Sequence, residues 1–313
     1  MIIFLLSRSH QAAQGDNQME HLDIRETPKL RDPALLMAFA GWNDASSAAT
    51  TAASFITEKM GGSEFAQIDS DPFYNFQDMR PHVSLDEDSR RKITWPSNTF
   101  YACETPNLEH DVVVFLGVEP HLQWGRFSKI ILSMVRECRV RMAVTVGALL
   151  ADVYHRSRVR ITGTSTNPDL ASQLGLKPSR YEGPTGIVGV LNNLFRDENL
   201  PAVSVWANVP HYVNVTPNPK AALALVERLS EFLSYPLNLS ELEAGAHEFE
   251  EKVDEALEKN KSVKDYVEQL KLRDDGFDEE PQPGELPSGD ELARELERFL
   301  RNRGADGDAP EEN

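Results

Sequence analysis

Apolar runs and apolar stripes alternate along most of this chain. Ala34 to Ala40 is an uninterrupted apolar run between Pro33 and Gly41; Asp111 to Gly117, Met142 to Leu150 and Ala202 to Val209 are three more runs of the same kind. Runs of this length, bounded by turn formers, predict strands covered on both faces. Glu64 to Asp69 and Arg160 to Thr166 predict two further strands. Between the runs the period changes to that of a helix. Phe127, Ile130, Ile131, Met134, Val135 and Cys138 form one stripe, and Ala222, Leu225, Val226, Leu229 and Leu233 form another. Asn167-Pro168 and Asn218-Pro219 each set a capping side chain before a proline at the first helical position. Strands and helices alternating in this way predict an α/β fold with a mostly parallel sheet between two helical layers, a three-layer αβα sandwich.

Two stretches break the alternation. Arg91 to Trp95, a three-residue turn at 96–98, and Thr99 to Cys103 predict an inserted β-hairpin near residues 91–104. Its aromatic side chains pack either on its own subunit or on a second copy. From Ser240 the stripe of Leu242, Ala246, Phe249, Val253 and Leu257, followed by that of Val263, Tyr266, Val267 and Leu270, predicts an acidic helical hairpin, a lid or arm over residues 240–273. The expected organisation is therefore a disordered tail at 1–18, an α/β core at 19–239, the arm, and an acidic linker, short helix and disordered tail at 274–313.

Charge sharpens this division. Of the formal −18, residues 240–313 carry 24 Asp+Glu against 10 Lys+Arg, leaving 26 against 22 for the first 239 residues. The acidity belongs to the tail, and such a chain repels a phosphate backbone, which argues against a nucleic-acid partner. Met1 to Leu6 is far shorter than the roughly 20 apolar residues a membrane span needs and lacks the basic flank of a signal peptide. Two cysteines without a CxxC pair, Cys103 and Cys138, exclude a disulfide framework and a cysteine-rich metal site and point to a reducing, cytoplasmic setting.

Candidate chemistry gathers at the predicted strand ends, because ligands of open α/β sheets bind at the carboxyl edge. Gly41, Trp42, Asn43 and Asp44 follow the first run; Asn43 and Asp44 either cap the next helix or meet a polar ligand, and Trp42 stacks on a ligand or packs on the arm. Gly147 lies near the end of another run. Pro184, Thr185 and Gly186, within GPTGIVG, either offer backbone N–H groups to an anion or serve a tight turn. The GK[ST] ending of a P-loop is absent. Glu119, Asp152 and His211 follow three different strands and would converge on one rim, or act as cap, ion pair and surface group. There is no GxSxG, no zincin pair and no metal-ligand spacing, so no catalytic residue, metal or cofactor is predicted.

Gly41-Trp42-Asn43-Asp44, Arg91 to Pro96, Gly147 to Val153, Ser179 to Gly189 and Val209 to Val213 together resemble the family of the second proteasome assembly chaperone, in its actinobacterial branch, over about residues 20–272. Ser46 stands where that family commonly has Gly, and Tyr154 where it has Pro. The resemblance implies a phosphorylase- or peptidase-like α/β core, a hairpin used in trimerisation and a helical lid. It supplies no catalytic residues. Two functions follow as expectations: a cytoplasmic, oligomeric binding or assembly-chaperone-like protein with a pocket at the carboxyl rim under the lid, taking a small ligand or a protein partner; or a hydrolase or phosphorylase of a small polar substrate.

Overall fold

The computed structural model describes residues 20–86, 88–176, 181–213, 215–258 and 261–274. The tail expected at 1–18 and the linker and short helix expected beyond 274 lie outside these residues. The chain divides into two compact units, Met1–Lys271 and Leu272–Asn313. The first holds the sheet and the helices that pack on it, up to Lys271.

The predicted runs form the middle of an eight-stranded sheet. β1 is Leu22–Ile24, β2 Ala34–Ala40, β3 Ser63–Ile68, β6 Asn98–Cys103, β7 Val112–Val118, β8 Met142–Ala151, β9 Ile161–Ser165 and β10 Ala202–Pro210, while β4 (His82–Leu85) and β5 (Arg91–Thr94) make a separate two-stranded sheet. The order across the large sheet is β1-β3-β6-β7-β2-β8-β10-β9. The four central strands, β7, β2, β8 and β10, are parallel; β6, β3 and β1 on one side and β9 on the other are antiparallel to their neighbours. The sheet is thus parallel in its centre and antiparallel toward its two edges, a mixed sheet.

Alternation along β2 shows the layering. Leu36 and Ala38 face one core with α1 (Ala48–Lys59) and α5 (Pro219–Leu233). Leu35, Met37 and Phe39 face the other, with α2 (Trp124–Glu137) and α4 (Ile187–Asp197). The predicted stripes of α2 and α5 are buried, and the Asn167 and Asn218 side chains cap α3 (Pro168–Gln173) and α5 as the sequence implies. α6 (Ser240–Glu258) packs on α5, burying Leu242, Ala246, Phe249 and Val253; α7 (Lys261–Asp274) buries Val267 and Leu270.

The inserted hairpin is not the predicted one. Arg91–Thr94 pairs with His82–Leu85, with Val83 opposite Ile93, and Asn98–Cys103 instead lies inside the main sheet between β3 and β7. The reason is burial. Of the β6 residues only Tyr101 is less than buried, so the segment belongs to the core and not to a ribbon in water. The excursion from Ile68 to Asn98 begins and ends on two residues that pair across the sheet.

Candidate functional site

The bend after β2 is set by Gly41, whose φ of +121° excludes most side chains. The backbone lifts Gly41 and Trp42 away from β8 and returns, so that Asn43 O accepts from Ala148 N at 2.9 Å and Asp44 bridges Ala148. Trp42 is left 66% exposed, so the arm does not cover it. Asn43 is buried. Its Nδ2 donates to Glu119 Oε1 at 2.9 Å, and the same oxygen accepts from Ile187 N at 2.8 Å. Glu119 therefore caps α4 from another strand end. The N-terminus of the GPTGIVG helix already holds an anion, and it is the chain's own carboxylate. Gly186 is glycine because a Cβ there would stand 2.5 Å from the Asn43 amide and 2.7 Å from Glu119 Oε1.

Asp44 turns inward. Its carboxylate accepts from Ala49 N at 2.7 Å and Thr50 Oγ1 at 2.5 Å, capping α1. Burial raises its pKa against the pull of those donors. The turn before α1 holds Ser46 and Ser47 at φ +50° and +53°, left-handed geometry that suits glycine. Gly147 lies under the Trp206 ring, 2.5 Å from where its Cβ would be. Pro184 O accepts from Tyr181 Oη, and Thr185 Oγ1 occupies the space beside Gly189.

Asp152 and His211 form a second group on the same edge. His211 Nδ1 is 3.0 Å from Asp152 Oδ1, the His211 amide donates to Ala151 O, and Tyr266 of α7 donates to Asp152 while its ring packs on His211. The predicted residues thus share one rim through β8, but in two groups, and only the second touches the arm, through Tyr266. A cavity of about 10 Å³ lies beneath α6, lined by His155, Arg158, Asn218, Lys220 and Phe249 among others, and an open cleft of about 680 Å³ lies at the opposite sheet edge, beside Asp23, Asp69 and Trp95. Neither is lined by Trp42, Asn43, Glu119 or Gly186. At the rim Asn43, Glu119 and Ile187 N meet in polar contacts, with Trp42 standing out into solvent beside them.

Several polar residues that organise this edge escape a reading of the sequence. Asn98 Nδ2 donates to Tyr74 Oη, Tyr74 donates to Val118 O, and Val118 N donates to Asn98 Oδ1, which fixes the end of β7 just before Glu119. Under the arm, His155 stands between Tyr212 and Asp254. All these partners are distant in sequence; only the isolated polar residues in apolar surroundings mark them. Among the described residues no group of His, Cys, Asp and Glu is placed to hold a metal, and no helix is long and apolar enough to cross a membrane.

A comparison with curated proteins gives no match. Among solved structures, the chain is similar to a PAC2 family protein from Streptomyces avermitilis, with 40% identity over 75% of this chain and 100% of that one, at a TM-score of 0.70. It is likewise similar to a proteasome-assembly chaperone homologue from Mycobacterium tuberculosis, with 35% identity over 75% of this chain and 99% of that one, at a TM-score of 0.68. A Pyrococcus furiosus archaeal proteasome activator shares the fold at 18% identity, covering 75% and 97% of the two chains, with a TM-score of 0.63. The PAC2 family model matches residues 38–257. With that match spanning the sheet from β2 to α6, the chain belongs to the PAC2 family.

Proposed function

We propose that this chain is a cytoplasmic assembly chaperone that acts as a homo-oligomer, a trimer, and works on proteasome components. The observation that carries the reading is the hairpin. Every residue of β4 and β5 is exposed, yet the ribbon is two-faced. Val83, Leu85 and Ile93 lie on one side, 61%, 66% and 57% exposed, with Arg91 opposite Leu85 at its end, and His82, Ser84, Lys92 and Thr94 lie on the other. Trp95 continues the apolar side and packs edge-on against Phe76 at 4.8 Å. An isolated two-stranded ribbon with an apolar face in water is marginal. A second copy covers that face, and the related chaperone homologue gives the class of client.

At the rim, Gly41, Trp42, Pro184 and Thr185 form the contact surface for the client, on a frame of the buried Asn43, Asp44, Gly147 and Gly186 and the partly buried Glu119, with Trp42, Leu149, Leu150 and Tyr181 as its exposed apolar anchors. Asp152 and His211 extend it toward the arm. No small-molecule chemistry is assigned, because Asp44 and Glu119 are both engaged in capping helices. The test adds the full chain to purified proteasome α-subunits from the same organism and follows ring assembly by native electrophoresis. Faster assembly, lost on Trp42→Ala, supports the reading. Assembly unchanged by the chain, with no complex formed, overturns it.

A further inference from the structure

The arm is held by separate apolar contacts and by a group of polar bonds between them. Near the start of α6, Leu242 joins the main core. Farther along, Phe249 and Val253 pack on Val213, edged by Tyr212 and Leu257, and α7 buries Val267 and Leu270. The remaining contacts converge on the loop after β8. His155 is 2% exposed. Its backbone N–H donates to Tyr212 Oη at 2.8 Å, its Nδ1 meets the same hydroxyl at 2.8 Å, and its Nε2 meets Asp254 Oδ1 at 2.8 Å. Asp254 Oδ2 also accepts from Arg156 Nε at 2.7 Å. Lys220 of α5 donates to His155 O at 2.6 Å and to Glu250 at 2.5 Å.

This arrangement fixes the proton. The Asp254 carboxylate can only accept, so the ring hydrogen sits on Nε2 and donates to it. A neutral ring then leaves Nδ1 bare, and the Tyr212 hydroxyl, which accepts from the His155 backbone N–H, donates its own hydrogen to Nδ1. Every group is satisfied with His155 neutral. A second ring proton would place two hydrogens between Nδ1 and Tyr212 Oη and turn the hydroxyl hydrogen away from the ring, losing that bond. The cavity of about 10 Å³ beside His155 admits about one water and no counter-ion.

We propose that the α6–α7 arm is fastened by a proton-sensitive catch centred on His155, so that mild acid releases the arm and frees Asp152, His211 and Tyr212 from their contacts with Tyr266. The groups facing His155 are Asp254 and Glu250 from α6, Lys220 from α5, Tyr212 after β10, and Tyr154, Arg156, Arg158 and Arg160 from its own segment; Glu268 and Lys271 of α7 act on Tyr154. Burial lowers the His155 pKa; Asp254 opposes this, and Arg156 and Lys220 add to it. Asp254 stays ionised: burial pushes it up, but Arg156 and His155 pull it below the usual carboxylate value. The docked arm therefore binds fewer protons than the released arm. Its docking energy is complete above the ordinary histidine value of about 6.5 and is lost as pH falls through that value toward the lowered one. The catch does not depend on the assembly role.

The test follows amide exchange protection in the full chain from about pH 8 to about pH 5, alongside the His155 imidazole resonances. Protection of α6 and α7 falls as His155 titrates, below the ordinary value, while β2, β7 and β8 stay protected. His155→Gln abolishes the pH dependence, and His211→Gln, at the other imidazole under the arm, retains it. Protection that is flat with pH, or that falls equally in His155→Gln, overturns the proposal. So does His155 titrating above the ordinary value, which decides the matter in the unmodified chain if the variant does not fold.

Discussion

Glu119 joins two parts of the rim that are far apart in sequence, and replacing it separates them. Glu119→Ala leaves the buried Asn43 amide and the first N–H of α4 without an acceptor, and is expected to cost about 1–3 kcal/mol by urea denaturation. Ser46 offers the opposite change. Its φ of +50° suits glycine, so Ser46→Gly is expected to stabilise the chain by about 1 kcal/mol in the same measurement. Asp111 supplies a pH dependence of its own. Burial would raise its carboxyl, but hydrogen bonds from Arg31 and Thr105 hold it at about 2. Because the folded value is depressed, this stabilisation is complete above the ordinary carboxylate pKa and is lost as pH falls from there toward about 2. Acid unfolding curves of Asp111→Asn should lack that component. At this scale the sequence was legible where a residue acts on its near neighbours. Asp44 as a cap could be read from its place before Ala45 and Ala48. The cap on α4 could not, because its carboxylate arrives from another strand, and no spacing in the chain records that meeting.

Among the elements, β2, β7, β8 and β10 announce themselves because a strand buried on both faces must be apolar throughout. The arm is equally plain, since its stripe repeats at helical spacing. The hairpin departs from the expected pairing for a physical reason. Arg91–Thr94 has two nearby partners, and turn length favours Thr99–Cys103. Burial decides otherwise: β6 belongs between β3 and β7, and β5 takes His82–Leu85 from a stretch whose charges and prolines conceal a strand. The apolar side of this ribbon gives a direct prediction. Val83→Lys with Ile93→Lys should reduce the oligomer to monomer in sedimentation. The main sheet should keep its stability, because both side chains are exposed and lie outside it, while the facing lysines weaken only the ribbon itself.

For the molecule as a whole, charge and contact work against each other. Each copy carries a formal −18, so copies repel, while the surface that joins them in our proposal is apolar. Self-association should therefore strengthen as salt is added, the reverse of an interface built on ion pairs, and sedimentation at low and high ionic strength distinguishes the two.

The pairing of Ile68 with Asn98 has a consequence of its own. Residues 69–97 leave the sheet and re-enter it through a single doorway between adjacent strands. Closing a loop across so short a gap depends only weakly on its length. The ribbon part of that segment, beyond the buried Phe73 and Tyr74 that belong to the core, is an interchangeable cassette. It can be trimmed, extended or grafted from a relative while the remaining strands keep their alignment, so new stoichiometries can evolve, or be engineered, without rebuilding the scaffold.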